Sequence, residues 1–190
     1  MKRIILTVFI VTSCKNNIKH SNTIKNGIFS DNVELSQIHY NDQKDRQKDY
    51  FETDWDEVSK NDSLRRLRVM QLIKLKKLHT SKDYRHAAMI FQHGGDSTSY
   101  KMAMNLMKKS IELNPNADKW LLAAATDRYL LSIGKPQIYG TQYHKNGDEP
   151  WKLADIDTTK ITNKERRDFG VETLIEQREK VERMNFEEGL

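Results

Sequence analysis

Residues 81–134, SKDYRHAAMIFQHGGDSTSYKMAMNLMKKSIELNPNADKWLLAAATDRYLLSIG, decide the fold of this chain. Apolar residues recur in this stretch at spacings of three and four, which is the pattern of helices with one buried face. Gly94-Gly95, Asn114-Pro115 and Gly134 interrupt the pattern, so it predicts three consecutive helices. The third of them, from about 117 to 133, is apolar on most sides and is therefore predicted to be the most buried.

Two further segments, one on each side of this stretch, also have helical periodicity. Residues 62–79 carry a wide apolar face with basic residues opposite, and Asp62 is the expected N-cap. Near the C-terminus, Thr162 begins a capping box, and a last helix with a narrow apolar stripe follows Gly170. The sequence therefore predicts an all-α fold, a single-domain helical bundle over residues 33–190.

The middle helix of residues 81–134 resembles the second helix of a tetratricopeptide repeat. The resemblance rests on the spacing within YKMAMNLMKKSIELNP, at Tyr100, Ala103, Met107, Ser110 and Pro115. Small residues in such positions let paired helices approach closely, and the proline ends the unit. The resemblance covers one half-repeat and implies αα-hairpin packing.

A second resemblance covers about residues 83–174. The segments YRHAAMIFQHGGD, DRYLLSIGKPQIYGTQY and NKERRDFGVETL are similar to a bacterial domain family of unknown function. Its features are a Gln-His pair at a helix end, an Asp-Arg pair and a Gln-x-Tyr/Phe-Gly-Thr-Gln loop, with Asp42-Gln43 and Arg46 as an outlying piece. The resemblance marks a set of residues that belong together: Gln92, His93, Asp127, Arg128, Gln137, Tyr139, Gly140, Thr141 and Gln142. Because the family has no assigned activity, the resemblance implies this grouping and no reaction.

The marked residues allow a structural and a functional interpretation. Asp127 and Arg128 are charges within an apolar helix, and a buried charge is tolerated only when it is paired and hydrogen-bonded. In the structural interpretation one of them holds the 137–142 loop, where Gly140 permits a positive φ. In the functional interpretation, a polar cleft contains His93 as general base and Asp127 as the group that orients it. Arg128 or the glutamines would then bind an anionic or carbohydrate-like substrate.

We expect neither a metal site nor a cofactor. His86 and His93 lie seven residues apart, about 10 Å along a helix, which is too long for comfortable chelation. Solvated or hydrogen-bonded histidines are the expected alternative. The sequence contains no glycine-rich phosphate loop and no nucleophile-elbow serine.

The first residues, MKRIILTVFIVTSC (1–14), have the pattern of a bacterial lipoprotein signal peptide. Lys2 and Arg3 precede an apolar run that is too short to span a bilayer, and a lipobox ends at the only cysteine, Cys14. This cysteine has no disulfide partner in the chain, so acylation, with palmitate for example, explains it best. We therefore predict cleavage before Cys14 and a lipid anchor in the cell envelope.

Residues 15–32 predict a flexible tether, because they are rich in Asn, Lys and Ser and lack apolar periodicity. A chain of this length would hold the folded body about 20–25 Å from the lipid. Lys15 follows Cys14, where an acidic residue would resemble an inner-membrane retention signal. The predicted location is therefore the periplasmic face of the outer membrane.

The predicted mature chain is only weakly basic. The sequence has 32 Lys and Arg against 27 Asp and Glu, and removal of Lys2 and Arg3 leaves a net charge of +3. Without a basic stripe interleaved with aromatic residues, and with export predicted, we expect no nucleic-acid partner. The basic residues of 65–77 are interpreted as the solvated face of one helix, with contact to an anionic membrane as the lesser alternative.

These features predict a lipid-anchored binding or scaffolding module for another envelope component, either a protein or a glycan. The tetratricopeptide-like spacing favours this hypothesis. The alternative is a hydrolase or transferase with its polar cleft around His93, Asp127 and Arg128.

Overall fold

The computed structural model describes residues 29–47 and 52–189. Within these residues lie seven helices and two short strands: α1 Val33–Lys44, α2 Trp55–Lys74, α3 Ser81–Gln92, α4 Ser97–Leu113, α5 Trp120–Ser132, β1 Tyr143–His144, β2 Lys152–Leu153, α6 Asn163–Asp168 and α7 Leu174–Glu187. The prediction of an all-α fold is confirmed, because the strands form only one small antiparallel pair. The predicted signal peptide (1–14) and most of the predicted tether (15–32) lie outside the described residues.

Helices α3, α4 and α5 correspond to the three helices that the sequence predicts for residues 81–134. α4 follows its N-cap Asp96 and ends at Asn114. The capping box of Thr162 and Glu165 is also present, at the start of α6. Local capping chemistry therefore sets these boundaries.

The predicted start of a helix at Asp62 is wrong. α2 begins at Trp55, and its N-cap is Asp54, whose carboxylate accepts from two backbone N–H groups of the first turn. Asp62 lies inside α2, where it is buried and forms ion pairs with Arg46, which follows α1, and with Arg65 of α2. An acidic residue at the edge of an apolar pattern resembles a cap in the sequence, but here its charge is paired within the fold.

The core lies where α3 packs along α4, and α1, α2 and α5 also contribute to it. Ala87 and Ala88 of α3 and Ala103 of α4 are fully buried, which allows the two helices to approach closely. The hydroxyl of Ser110 in α4 donates to the carbonyl of Ser81 at 2.7 Å. α3 and α4 therefore form a closely packed αα-hairpin.

A buried carboxylate joins the start of α1 to the start of α3. Asp83 accepts from the backbone N–H groups of Asn32 at 2.8 Å, His79 at 2.9 Å and Thr80 at 3.1 Å. Asn32 is itself the N-cap of α1. The beginning of the described chain is thus held against the loop between α2 and α3.

Two stacked histidines lie between α1 and α3. The ring centroids of His39 and His86 are 4.1 Å apart, and Nδ1 of His86 is buried without a hydrogen-bond partner among the described residues. Burial lowers the pKa of His86 to about 4, assisted by the positive charges of His39, Lys82 and Arg85 and opposed by Asp31. At neutral pH His86 is therefore an uncharged, largely buried ring whose Nδ1 has no partner among the described residues.

Acidification should destabilise the fold through His86. Its pKa is about 4 in the folded protein and about 6.5 in an unfolded chain, so its stabilising contribution is complete above about pH 6.5 and is lost as the pH falls towards 4. After allowance for solvent screening, this shift corresponds to roughly 1–3 kcal/mol of unfolding free energy. Urea denaturation at about pH 7 and about pH 4.5 should reveal most of this loss in the wild type.

His86→Gln should remove most of the pH dependence, whereas substitution of the exposed His144 by Gln should leave it unchanged. Equal pH dependence in the wild type and in His86→Gln would contradict the assignment.

Candidate functional site

The 137–142 loop is held by the carboxylate of Asp127 in α5. Asp127 is completely buried and accepts from the backbone N–H groups of Ile138, Tyr139, Gly140 and Thr141, each at 2.9 Å. The hydroxyl of Thr141 adds a further hydrogen bond at 2.8 Å. Such dense hydrogen bonding is what allows a carboxylate to remain inside a protein.

Arg166 of α6 binds the carbonyl side of the same loop. It is buried, and its guanidinium donates to the carbonyls of Ile138 at 3.0 Å and Tyr139 at 3.1 Å. The peptide groups 138–139 and 139–140 each donate to Asp127 through N–H and accept from Arg166 through C=O. Their dipoles are therefore aligned between a buried anion and a buried cation.

Gly140 is required by this arrangement. Its φ is +91°, a conformation that disfavours other residues, and a Cβ there would lie 1.9 Å from Oε1 of Gln177. The amide of Gln177 is fully buried and donates to the carbonyls of Tyr139 and Glu172, each at 2.8 Å. The loop is thus packed between α5, α6 and α7.

The two marked glutamines of the loop have different surroundings. Gln137 is fully buried, and its Nε2 donates to the carbonyls of Gln142 at 2.9 Å and Ala154 at 3.0 Å. Its Oε1 accepts from the backbone N–H of Gln142 at 2.9 Å. The side chain of Gln142, in contrast, accepts from Nε of Arg128 at 2.9 Å. Gln137 therefore closes the loop, and Gln142 connects it to α5.

Asp42, and not Asp127, is the carboxylate that contacts His93. The functional interpretation of the sequence, in which Asp127 orients His93, is therefore wrong on this point. Nδ1 of His93 lies 3.0 Å from Oδ1 of Asp42, which is only 1% exposed. Burial tends to raise the pKa of Asp42, but the hydrogen bond and charge of His93 and the charge of Arg46 hold it below its usual value. Asp42 is therefore ionised at neutral pH, so Nδ1 of His93 carries the proton of their hydrogen bond.

Asp42 also belongs to a chain of paired charges between α1 and α2. Arg46 donates to Asp42 at 3.0 Å and forms an ion pair with Asp62. Arg65 pairs with Asp62 at 3.1 Å and with Asp45. Each of these four charged side chains is paired with an opposite charge. The ion pairs therefore fix the position of the Asp42 carboxylate that contacts Nδ1 of His93.

Arg128 lies beside these groups but has no such partner. Nη1 donates to the carbonyl of Gln92 at 3.0 Å, and no carboxylate of the described residues forms an ion pair with it. Burial lowers the pKa of Arg128, Tyr100 opposes this effect, and the charge of Arg46 lowers the pKa further. Its partly buried charge therefore contacts only neutral acceptors.

Arg128 and Gln142 line an open cleft of about 460 Å³ on one side of α5, which we call the α5 cleft. Its walls also include Tyr100, Leu131, Tyr143 and His144. His93 is not part of this lining, although Arg128 binds the carbonyl of the residue before it.

The marked residues therefore fall into three groups. Asp127, Gln137 and Tyr139 hold or form the buried loop, while Arg128 and Gln142 face the α5 cleft. The third group is at the end of α3, where Gln92 is buried with its Oε1 unpaired among the described residues and His93 contacts Asp42. No single cleft unites all of them.

Sequence reasoning overlooked Arg166 and Gln177, which lie within or just after the third segment of the family resemblance. Both appear in the sequence as ordinary polar residues of amphipathic helices. Nothing in their spacing reveals that they are buried, because their partners are carbonyl groups of a loop 27 to 38 residues away. Among the described residues, no group of three or more His, Cys, Asp or Glu is arranged to hold a metal ion.

Asp127→Asn should destabilise the protein by about 3 kcal/mol, because the amide loses the negative charge and turns an N–H₂ group towards N–H donors of the loop. Urea denaturation should show this loss, whereas Asp148→Asn at an exposed loop position should change the unfolding free energy by less than about 0.5 kcal/mol. Equal stability of the two variants would contradict the role of Asp127.

Comparison with known proteins finds no family model, no curated protein and no solved structure that matches this chain. The resemblance of residues 83–174 to a bacterial domain family therefore stays a prediction.

Proposed function

We propose that this protein is an anion-binding module and that its ligand occupies the α5 cleft. The observation that carries the proposal is Arg128, a partly buried cation whose hydrogen bonds reach only Gln142 and the carbonyl of Gln92. Burial of a charge without a counter-ion is costly, and an anionic ligand would remove that cost.

The geometry of the guanidinium supports this role. Nε and Nη1 of Arg128 are directed by Gln142 and Gln92, while Nη2 makes no hydrogen bond within the described part of the chain. Arginine binds carboxylates and phosphates through paired N–H groups, and a guanidinium that is already oriented loses less entropy when it does so. The site is therefore preorganised for an oxyanion.

The lining of the cleft limits the rest of the ligand. Tyr100, Tyr143 and His144 offer aromatic surfaces, and Leu131 adds an apolar one. A volume of about 460 Å³ suits a small organic anion or one unit of an acidic glycan.

The predicted lipid anchor at Cys14 would place this module at the surface of a membrane in the cell envelope. Its partner would then be an envelope glycan or protein that carries a carboxylate or phosphate group. None of the described helices is long and apolar enough to cross a bilayer.

Arg128→Gln should abolish stabilisation by small oxyanions. Inorganic phosphate and acetate serve as probes, and a ligand at ten times its Kd stabilises a protein by about 1.4 kcal/mol, or roughly 3 °C in Tm for a chain of this size. We expect thermal unfolding to show this shift for at least one probe in the wild type and in Arg183→Gln, an exposed arginine of α7. The shift should be absent in Arg128→Gln.

The proposal would be contradicted if neither probe stabilised the wild type, or if Arg128→Gln responded as strongly as Arg183→Gln. Circular dichroism of the variant at low temperature controls for folding. We expect the variant to remain folded, because loss of an uncompensated charge offsets the two lost hydrogen bonds.

A second candidate function is general acid–base catalysis by His93. Asp42 fixes the protonated Nδ1, and Nε2 has no hydrogen-bond partner among the described residues, while 17% of the side chain is exposed. A carboxylate that orients an imidazole in this way leaves Nε2 as the basic nitrogen. This arrangement would support a hydrolase or transferase, with Asp42 rather than Asp127 as the orienting group.

Chromogenic esters, phosphoesters and glycosides test this second candidate. Activity on any of them should fall at least about a hundredfold in His93→Gln and in Asp42→Asn, and it should persist in His79→Gln, an exposed histidine outside the α5 cleft. Absence of activity in the wild type on all three classes, or activity that survives His93→Gln, would contradict it.

A further inference from the structure

We propose that the end of α2 and the start of the described chain form a contact surface for anionic lipid headgroups. We call it the α2-end surface, and it consists of Phe29, Val33, Lys74, Leu75, Lys76 and Lys77. The proposal is independent of the anion site at Arg128.

The members of this surface are neighbours in the fold. Nδ2 of Asn32 donates to the carbonyl of Lys77 at 3.0 Å, which places Val33 beside the end of α2. The ring of Phe29 stacks on His79, with centroids 4.6 Å apart and planes within 12°. The start of the described chain is thus bound to the residues that follow α2.

The surface has an excess of positive charge. Lys74, Lys76 and Lys77 are exposed, and none of them forms an ion pair with a carboxylate of the described residues. The nearby carboxylates of Glu34 and Asp31 are already paired, with Arg68 and Lys82 respectively. Three lysines therefore remain available for anionic headgroups.

Apolar side chains are exposed among these lysines. The exposed fractions are 60% for Phe29, 82% for Val33 and 62% for Leu75. A lysine can extend its ammonium group to the headgroups while neighbouring apolar side chains enter the boundary of the acyl chains. Lysines around apolar residues are therefore the composition expected of a surface that contacts a membrane.

Lys76 occupies a position that favours glycine. Its φ is +54°, and the bonds from Lys76 N–H to Ile73 and from Lys77 N–H to Leu72 form a Schellman motif, in which this residue is usually glycine. A lysine here gives up conformational stability. A role for the Lys76 ammonium group in binding anionic headgroups would explain why lysine and not glycine occupies this position.

Attraction to the helix dipole is the competing explanation for lysines at the end of α2. It accounts for Lys74 in the last turn, but it gives no reason for the exposed Phe29, Val33 and Leu75. It also predicts that substitution of the lysines lowers stability without any effect on lipid binding.

The α2-end surface lies where the predicted tether would join the folded body. The described chain begins at Phe29, so the segment between Cys14 and the folded body joins it at the α2-end surface. A tether of the kind that the sequence predicts would span about 20 Å from Cys14 to residue 29. A lipid at Cys14 would thus bring this surface, and not the opposite side of the protein, within reach of the bilayer.

Vesicle co-sedimentation of residues 14–190, the chain that the predicted cleavage leaves, tests the proposal, with Cys14→Ser in every variant so that neither the apolar segment 1–13 nor an acyl chain contributes. The vesicles contain phosphatidylcholine alone or with roughly one-third phosphatidylglycerol. We expect Lys74→Gln, Lys76→Gln and Lys77→Gln together to lower partitioning onto the anionic vesicles at least about tenfold. The matched control combines Lys101→Gln, Lys108→Gln and Lys135→Gln, which are exposed lysines elsewhere without ion pairs among the described residues. This control should bind like the parent chain.

Lys76→Gly separates lipid binding from folding. It should raise Tm, since glycine suits the positive φ, and at the same time weaken binding to anionic vesicles about threefold to fivefold. Arg128→Gln should bind vesicles normally, so failure of the anion site and failure of this surface are distinguishable. Equal partitioning of the α2-end and control triple variants would overturn the proposal, and so would equal binding of the parent chain to both kinds of vesicle.

Discussion

The buried charge of Asp127 is the constraint on which the candidate site depends. Asp127 lies inside an apolar helix without an ion-pair partner among the described residues, and the loop that follows α5 supplies five hydrogen bonds to it. Arg166 binds the carbonyls of the same peptide groups, so the loop is held from both sides. Since each buried charge would be unfavourable alone, the loop, α5 and α6 stabilise one another. The fixed loop then places Gln142 against Arg128.

The charges around the site differ in how completely they are paired. Asp42, Arg46, Asp62 and Arg65 form a continuous set of ion pairs, and Asp127 is surrounded by donors. Arg166 and Arg128 both donate only to neutral acceptors, but the buried Arg166 has the charge of Asp127 nearby, whereas Arg128 lies at the wall of an open cleft. A network in which every charge is paired needs no role beyond stabilising the fold. A partly buried cation without a counter-ion is better explained by binding of an anionic ligand.

Helix positions and caps could be predicted from the sequence because they depend on neighbouring residues. The boundaries of α4 and the capping box of α6 follow from Asp96 and Thr162, whose partners lie within the first turn. The roles of Asp62 and Asp42 could not be predicted in this way, because Arg46 and His93, which pair with them, are distant in the sequence. The family resemblance grouped Asp127 with the loop that it binds, but it did not reveal that His93 uses Asp42 or that Arg166 is buried.

We infer that the loop held by Asp127 orients Arg128 for an anion. The most direct measurement is the Nε–H resonance of Arg128 in ¹H–¹⁵N NMR spectra during titration with inorganic phosphate, in the wild type and in Thr141→Ala. This substitution removes one donor to Asp127 and the hydroxyl that accepts from the Gln142 amide, so it loosens the connection from the loop to Arg128. We predict a saturable shift in the wild type and weaker binding in the variant, with other arginine resonances unchanged. An Arg128 resonance that does not respond to phosphate, or a response shared equally by exposed arginines, would contradict the claim.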